Sequence, residues 1–224
     1  MSGSISSFLG DLNDYDKISE ADDGWTYWGF TIYRTYHGPD SDEQWSALLE
    51  KITDGVGESL TYLEEVDKNP DAVTKALLHF RTDARSDAAT LDGMSLQDVR
   101  FAFLDGVGGQ PMNTEENYPW RLFLLADAQV LQNPDLSLIK VAAPHYDPGR
   151  HVPRNGWSGR QKYFGWITMP TSAVLELYIQ VEMFSFEYLA KGPGALWIPE
   201  DTWLGESTIK EMKSLHRDWQ SQGS

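Results

Sequence analysis

Three groups of residues have types and spacing that suit chemistry. The first begins in Arg34-Thr35-Tyr36-His37-Gly38, at the end of an aromatic run, and takes in Asp127, just past a second apolar run. Histidine is the usual acid–base group near neutral pH, and an aspartate can orient it. Arg34, His37 and Asp127 form the candidate catalytic set if the two runs are parallel strands whose carboxyl ends meet. Tyr33 and Trp28, on the first run, are candidate substrate contacts. The plain alternative is an ion pair between Arg34 and Asp127, with His37 in a turn.

The second group is residues 145–162, HYDPGRHVPRNGWSGRQK. Arg150, Arg154, Arg160 and Lys162 fall here with His145 and His151, and the one acid is Asp147. Two prolines and three glycines predict a loop. At roughly 20 residues it exceeds what compact domains usually carry without a function. Basic groups interleaved with Trp157 suit phosphates, or a base stacked on indole. His145, Arg150, Arg154, Arg160, Lys162 and Trp157 are therefore candidate phosphate or tRNA contacts. The alternative is a solvated loop that offsets an acidic body.

The third group is a supply of carboxylates. Glu176 and Glu182, with Glu64-Glu65-x-Asp67, suit a guanidinium or an amine. With 34 acids in the chain, some fall close together by chance on a solvated face. No metal or cofactor is expected: His145-x-Asp147 and His151 lack the spacing of a metal site. The sequence DGVGG at 105–109 follows a predicted helix and lacks the Lys-Ser/Thr of a phosphate loop.

These residues need elements to hold them. WTYWGFTIYRTYH (25–37) is the best strand, apolar on both faces and so central. Period 2 puts Trp28, Phe30, Ile32 and Arg34 on one face, and Thr31 and Tyr33 on the other. Gly29 lets something approach the backbone closely. Helices are predicted over 41–66 (with a break at Gly55 or Gly57), 70–80, 95–104 and 171–189, and a short one over 207–219. Residues 81–93 read as an exposed loop. Further strands are predicted at 120–125, 136–142 and 163–169. The order implies an α+β fold with a four-stranded mixed, mainly antiparallel sheet packed by helices. A right-handed crossover makes the first two strands parallel. Residues 1–23 read as an acidic flexible tail, 24–200 as the core domain, and 201–224 as a C-terminal helical extension.

The 224 residues carry 18 Lys and Arg against 34 Asp and Glu, a net charge of −16. This argues against a broad nucleic-acid surface, because such binding rests on cations that neutralise phosphates. The charge is uneven: residues 1–23 hold six acids and one base, whereas 145–162 hold four bases and one acid. The absence of cysteine excludes disulfides, thiolate metal sites and a thiol nucleophile. No run reaches 18 apolar residues, so no membrane span is expected, and the predicted location is cytoplasmic.

WGFTIYRTYHGPDSDEQW (28–45), RLFLLADAQVLQ (121–132), YFGWITMPTSAVLELY (163–178) and GPGALW (192–197) together resemble a large family of small filamentous-fungal proteins. No residue role follows from that resemblance. Size, fungal character and a lone basic loop in an acidic body are also compatible with the fungal arginine-containing cyclodipeptide synthases. That likeness implies a biosynthetic enzyme that joins arginine to a second amino acid from aminoacyl-tRNAs. Acidic groups would then hold the arginine, and 145–162 would meet the tRNA acceptor end. Two other functions stay open: a non-catalytic module that binds a protein through its aromatic surface and acidic tail, and a cyclase or isomerase acting on a preformed small molecule.

Overall fold

The run Trp28–Arg34 forms strand β1, with all seven residues buried. A computed structural model describes residues 4–13, 25–116, 118–151, 161–190, 192, 194–199 and 204–222. In chain order, α1 (Ile5–Leu12) precedes β1. It is followed by α2 (Ser41–Thr61), α3 (Asp71–His79), β2 (Phe80–Arg85), α4 (Ala88–Leu91) and α5 (Leu96–Leu104). Then come β3 (Phe123–Ala126), α6 (Ala128–Leu131), β4 (Leu138–Ala142), α7 (Pro148–His151) and β5 (Trp166–Pro170). Helices α8 (Val174–Met183), α9 (Phe186–Leu189) and α10 (Glu206–Gln222) end the chain.

The fold is α+β, with a mixed sheet of five strands ordered β2-β1-β3-β4-β5. β1 pairs parallel with both β2 and β3, so the expected parallel pair is present. β3–β4 and β4–β5 are antiparallel. The sheet is thus evenly mixed rather than mainly antiparallel. The extra strand is β2, in a stretch read as the start of an exposed loop. Its sequence FRTDAR has no apolar alternation, but it runs in register along β1 from Trp28↔Phe80 to Tyr33↔Arg85. An edge strand tolerates charge because one side meets water. Gly29 (φ +127°) permits the pairing, since a Cβ there would lie 2.0 Å from the Arg81 carbonyl oxygen.

Trp28, Phe30 and Ile32 belong to the larger core cluster, with α1, α2 and α8. Tyr33 joins Phe123, Leu125, Val99 and Phe103 in a second cluster that includes α5. The period-2 reading of β1 separates these two sets. Each fully buried large apolar side chain contributes about 1.5–3 kcal/mol.

Residues 4–13 depart from the expected tail. Ser4 caps α1 by accepting the Ser7 N–H at 3.1 Å, and Ile5, Phe8, Leu9 and Leu12 are buried. Phe8 stands edge-on to Trp28 at 4.9 Å between centroids. The 5-8-9-12 spacing is a helical stripe, which the neighbouring acids obscure. The acidic stretch 14–23 lies outside the described residues.

Helix α2 runs through Gly55 and Gly57 without a break. Gly55 serves packing, since a Cβ there would fall 2.6 Å from Ser172 Cα. The helix predicted over 171–189 is interrupted: it begins as a 3₁₀ turn, α8 closes at Phe184, and Ser185 caps α9. Residues 194–197 lie along β5, with Thr168 donating to Ala195 O at 3.0 Å and Trp197 to Thr168 O at 2.8 Å. Among the described residues no helix is long and apolar enough to cross a membrane.

Candidate functional site

Arg34, His37 and Asp127 do not bond to one another; each is engaged elsewhere. Buried Arg34 donates to Tyr36 O at 3.0 Å, Ser41 Oγ at 2.7 Å and Asp42 Oδ1 at 2.6 Å. It therefore ties the end of β1 to the start of α2. His37 meets Asp92 Oδ1 through Nδ1 at 3.2 Å and Ser86 O through Nε2 at 3.1 Å. Both ring nitrogens hold the segment after β2 against the end of β1. Asp127 caps α6 at Val130 N (3.1 Å) and accepts Lys140 Nζ at 2.5 Å. Neither the convergent set nor an Arg34–Asp127 ion pair forms. The strand ends do come together, but the polar side chains are used to fasten the elements that follow.

Trp28 and Tyr33 are core residues rather than pocket walls. Trp28 is fully buried, and its indole N–H donates to Ala76 O at 2.8 Å. Tyr33 is fully buried with its hydroxyl unbonded, and burial pushes that phenol up to about 12. Glu176 sits on α8, with Oε2 buried and unbonded. Burial raises its carboxyl above the ordinary value, against its own backbone N–H and the Ser59 hydroxyl. Glu182 is exposed.

The basic loop divides. Arg154, Trp157 and Arg160 lie outside the described residues. His145, Arg150 and Lys162 are exposed. Arg150 faces Asp147 at 3.5 Å. His145 is held below the ordinary histidine value, first by desolvation and then by the Arg121 charge, with Glu116 opposing.

At the base of this loop lies a cluster that the sequence does not single out. Arg100, on α5, is only 5 % exposed. Its guanidinium donates to Ala143 O (3.1 Å), Gln97 Oε1 (3.1 Å), Gly165 O (3.2 Å) and Phe164 O (3.5 Å). Every one of these acceptors is neutral. The buried cations Arg34 and Lys140 each have a carboxylate. Arg100 has none among the described residues. Burial lowers its affinity for the proton, but a guanidinium stays charged in a protein.

Above Arg100 lies the Tyr146 ring, 4.8 Å from Cζ to centroid. His151 stacks on Tyr146 at 5.5 Å and 15°. Tyr163 stands edge-on to both rings. His151 Nδ1 faces Glu187 Oε1 at 3.5 Å. Gln161 donates to the Tyr146 hydroxyl at 2.6 Å. Gly165 (φ +74°) makes room, because a Cβ would fall 2.2 Å from Tyr146 Cγ. Burial, followed by the Glu187 charge, raises the Tyr163 phenol despite Arg100. The one sequence signal was a basic residue at position 100, among Val99, Ala102 and Phe103 of a buried stripe.

This arrangement combines a fixed positive charge, stacked planar rings and a titratable histidine beside a carboxylate. Such a group can attract an anion, hold a flat ring and move a proton. Among the described residues no group of three or more His, Asp or Glu side chains is placed to hold a metal ion.

No family model matches the chain. Neither a curated protein nor a solved structure shows significant similarity to it.

Proposed function

We propose that the chain binds an anionic ligand carrying a planar ring at the base of the 145–162 loop, and that His151 acts on it as acid or base. The observation that carries this reading is the buried charge of Arg100, which among the described residues meets only neutral acceptors beneath the Tyr146–His151 stack. A buried charge without a counter-ion extends its field to the nearest surface, where an anion relieves it. Glu187 orients His151.

An aminoacylated tRNA end is a ligand of this class: a phosphate, a base and an ester-linked amino acid. In this form the chain is a tRNA-dependent synthase of arginine-containing cyclodipeptides, a small enzyme of fungal secondary metabolism. A chain of net charge −16 can meet tRNA only through such a local basic surface. The test is expression in a bacterial host with chemical profiling of the medium. An arginine-containing diketopiperazine that disappears in the His151→Ala variant, and from RNase-treated lysate, is the expected result. No such product with the wild-type chain overturns the synthase reading.

A second reading is a non-catalytic binding protein. It is favoured by the commitment of Arg34, His37 and Asp127 to bonds within the fold. Pull-down with the wild-type chain tests it. A stable partner retained by His151→Ala supports this reading over the first.

A further inference from the structure

We infer that the outer edge of β2 takes up an extended segment of a protein partner as a further strand, with a carboxylate of that segment opposite Arg81. One edge of the sheet, β5, is covered by residues 194–197, which bond to Thr168. The other, β2, pairs with β1 alone. Backbone groups alternate in direction along a strand, so the open ones can be assigned. Thr35 N–H donates to Ala126 O on β3, so the odd residues of β1 turn toward β3 and the even ones toward β2. The register Gly29↔Arg81 then sets Arg81 between Trp28 and Phe30, with its backbone groups turned inward; its carbonyl oxygen lies against Gly29. Asp83 and Arg85 turn inward likewise, and Phe80, Thr82 and Ala84 face outward. Phe80 is already used, its N–H by Leu77 O and its C=O by Arg81 Nη1 at 2.9 Å. The N–H and C=O groups of Thr82 and Ala84 have no partner among the described residues. Thr82 is half-buried and Ala84 exposed, so water reaches this edge. An unpaired edge of this kind binds an extended peptide through main-chain hydrogen bonds.

The charges on the edge itself decide the occupant. Asp83 accepts from Thr31 at 2.9 Å and from Nε and Nη2 of Arg85 at 2.8 and 2.7 Å, so these two charges satisfy each other. Arg81 is exposed, and its Nη1 meets only the carbonyls of Leu78 and Phe80. No carboxylate pairs with it among the described residues. A partner strand therefore gains from a carboxylate opposite Arg81 and from an uncharged residue opposite Asp83. A second copy of the chain cannot meet both demands. Antiparallel pairing that joins all the open groups sets Thr82 against Ala84 of the other copy. It then places Asp83 opposite Asp83 and Arg81 opposite Arg85, and like charges directly opposite are destabilising. Pairing centred on Thr82 avoids those contacts but leaves Ala84 opposite Phe80, whose groups are taken.

This inference is independent of the ligand proposed for Arg100 and rests on different residues. The probe is a fluorescent peptide, Thr-Thr-Val-Thr-Val-Glu-Thr, titrated against the full chain. Laid antiparallel on β2, its valines face Thr82 and Ala84 and its glutamate faces Arg81. Expected results are saturable binding and slower amide exchange at Thr82 and Ala84 in the complex. Methylating the two valine nitrogens should weaken binding about tenfold, because those N–H groups face β2. Replacing the glutamate by lysine should weaken it about threefold. The Ala84→Pro variant should bind about tenfold more weakly and keep its fold, since an edge strand accepts proline where the N–H faces outward. If that variant loses its fold by circular dichroism, the methylated peptide against the wild-type chain decides alone. No binding by the wild type, or equal binding of the methylated peptide, overturns the inference. Equal binding of the lysine peptide overturns the role of Arg81. A wild-type dimer that Ala84→Pro dissolves would assign the edge to a second copy and overturn the partner.

Discussion

Asp127, just past the end of β3, forms a 2.5 Å ion pair with Lys140 on the neighbouring antiparallel β4, and the same carboxylate caps α6. Lys140 is 9 % exposed along its side chain and also donates to Gln129 Oε1 at 2.8 Å. One aspartate therefore serves as cap and counter-ion together. Removing one member of such a pair strands the other charge in a poorly solvated place. Asp127→Ala is expected to destabilise the fold by about 3 kcal/mol. Urea unfolding measures it. The Asp127→Ala/Lys140→Met double variant should recover part of the loss. A single-variant loss below about 0.5 kcal/mol would mean that the pair is solvated.

Tyr33→Phe should stabilise the protein by about 1 kcal/mol. The hydroxyl is buried without a partner, and an unmade bond costs about 1–3 kcal/mol. The ring keeps its edge-on contact with Phe123 at 5.7 Å. A thermal melt that shifts downward would reveal a bound water on that hydroxyl.

Glu176 gives stability a pH dependence of the less common sign for a carboxylate. Its folded pKa is raised, chiefly by burial, above the reference value of 4.5. The proton is held more tightly in the fold than in the unfolded chain. This contribution is fully present below pH 4.5 and is lost as pH rises through the folded pKa. Glu176→Gln keeps the neutral form at all pH values. It should raise stability at pH 7 and flatten the profile across that window. Urea midpoints measured between pH 4 and 8 test this; parallel profiles for the two proteins would exclude it.

Arg100 binds three carbonyls and a side-chain amide, linking α5 to the end of β4 and the start of β5. Lysine cannot span those acceptors with one ammonium. Arg100→Lys should cost about 2–3 kcal/mol. It should also speed amide exchange at Ala143, whose N–H donates to Gly165 O at 3.0 Å. Wild-type exchange there would mean that the loop base is held by ring packing alone.

The main axis of this fold is legible in the sequence. The dense aromatic and β-branched run of β1 predicts a central strand, and its alternation predicts which side chains fill which core cluster. Helices α2, α3 and α5 stand where helices are predicted, over 41–66, 70–80 and 95–104, and the structure adds a Ser95–Asp98 capping box at the start of α5. Strand β2 is not legible, because FRTDAR has neither alternation nor apolar weight. It is a strand because β1 offers an unpaired edge, and because Thr31 donates to Asp83 at 2.9 Å. Helix α1 was legible in its 5-8-9-12 spacing, but the acidic residues around it suggested a tail.

The site divides in the same way. Sequence alone determined local facts: the residue types, the periodicities and the parallel neighbours whose ends carry Arg34 and Asp127. These depend on contacts a few residues apart, or on a topology with few solutions. Only the tertiary structure decided the partner of each charged group. Arg34 turned to Asp42, Asp127 to Lys140 and His37 to Asp92, while Arg100 was left among carbonyls. A side chain's electrostatic role depends on which distant residues share its few ångströms of poorly solvated space. That neighbourhood exists only once the sheet has brought strands and loops together, and no local pattern encodes it.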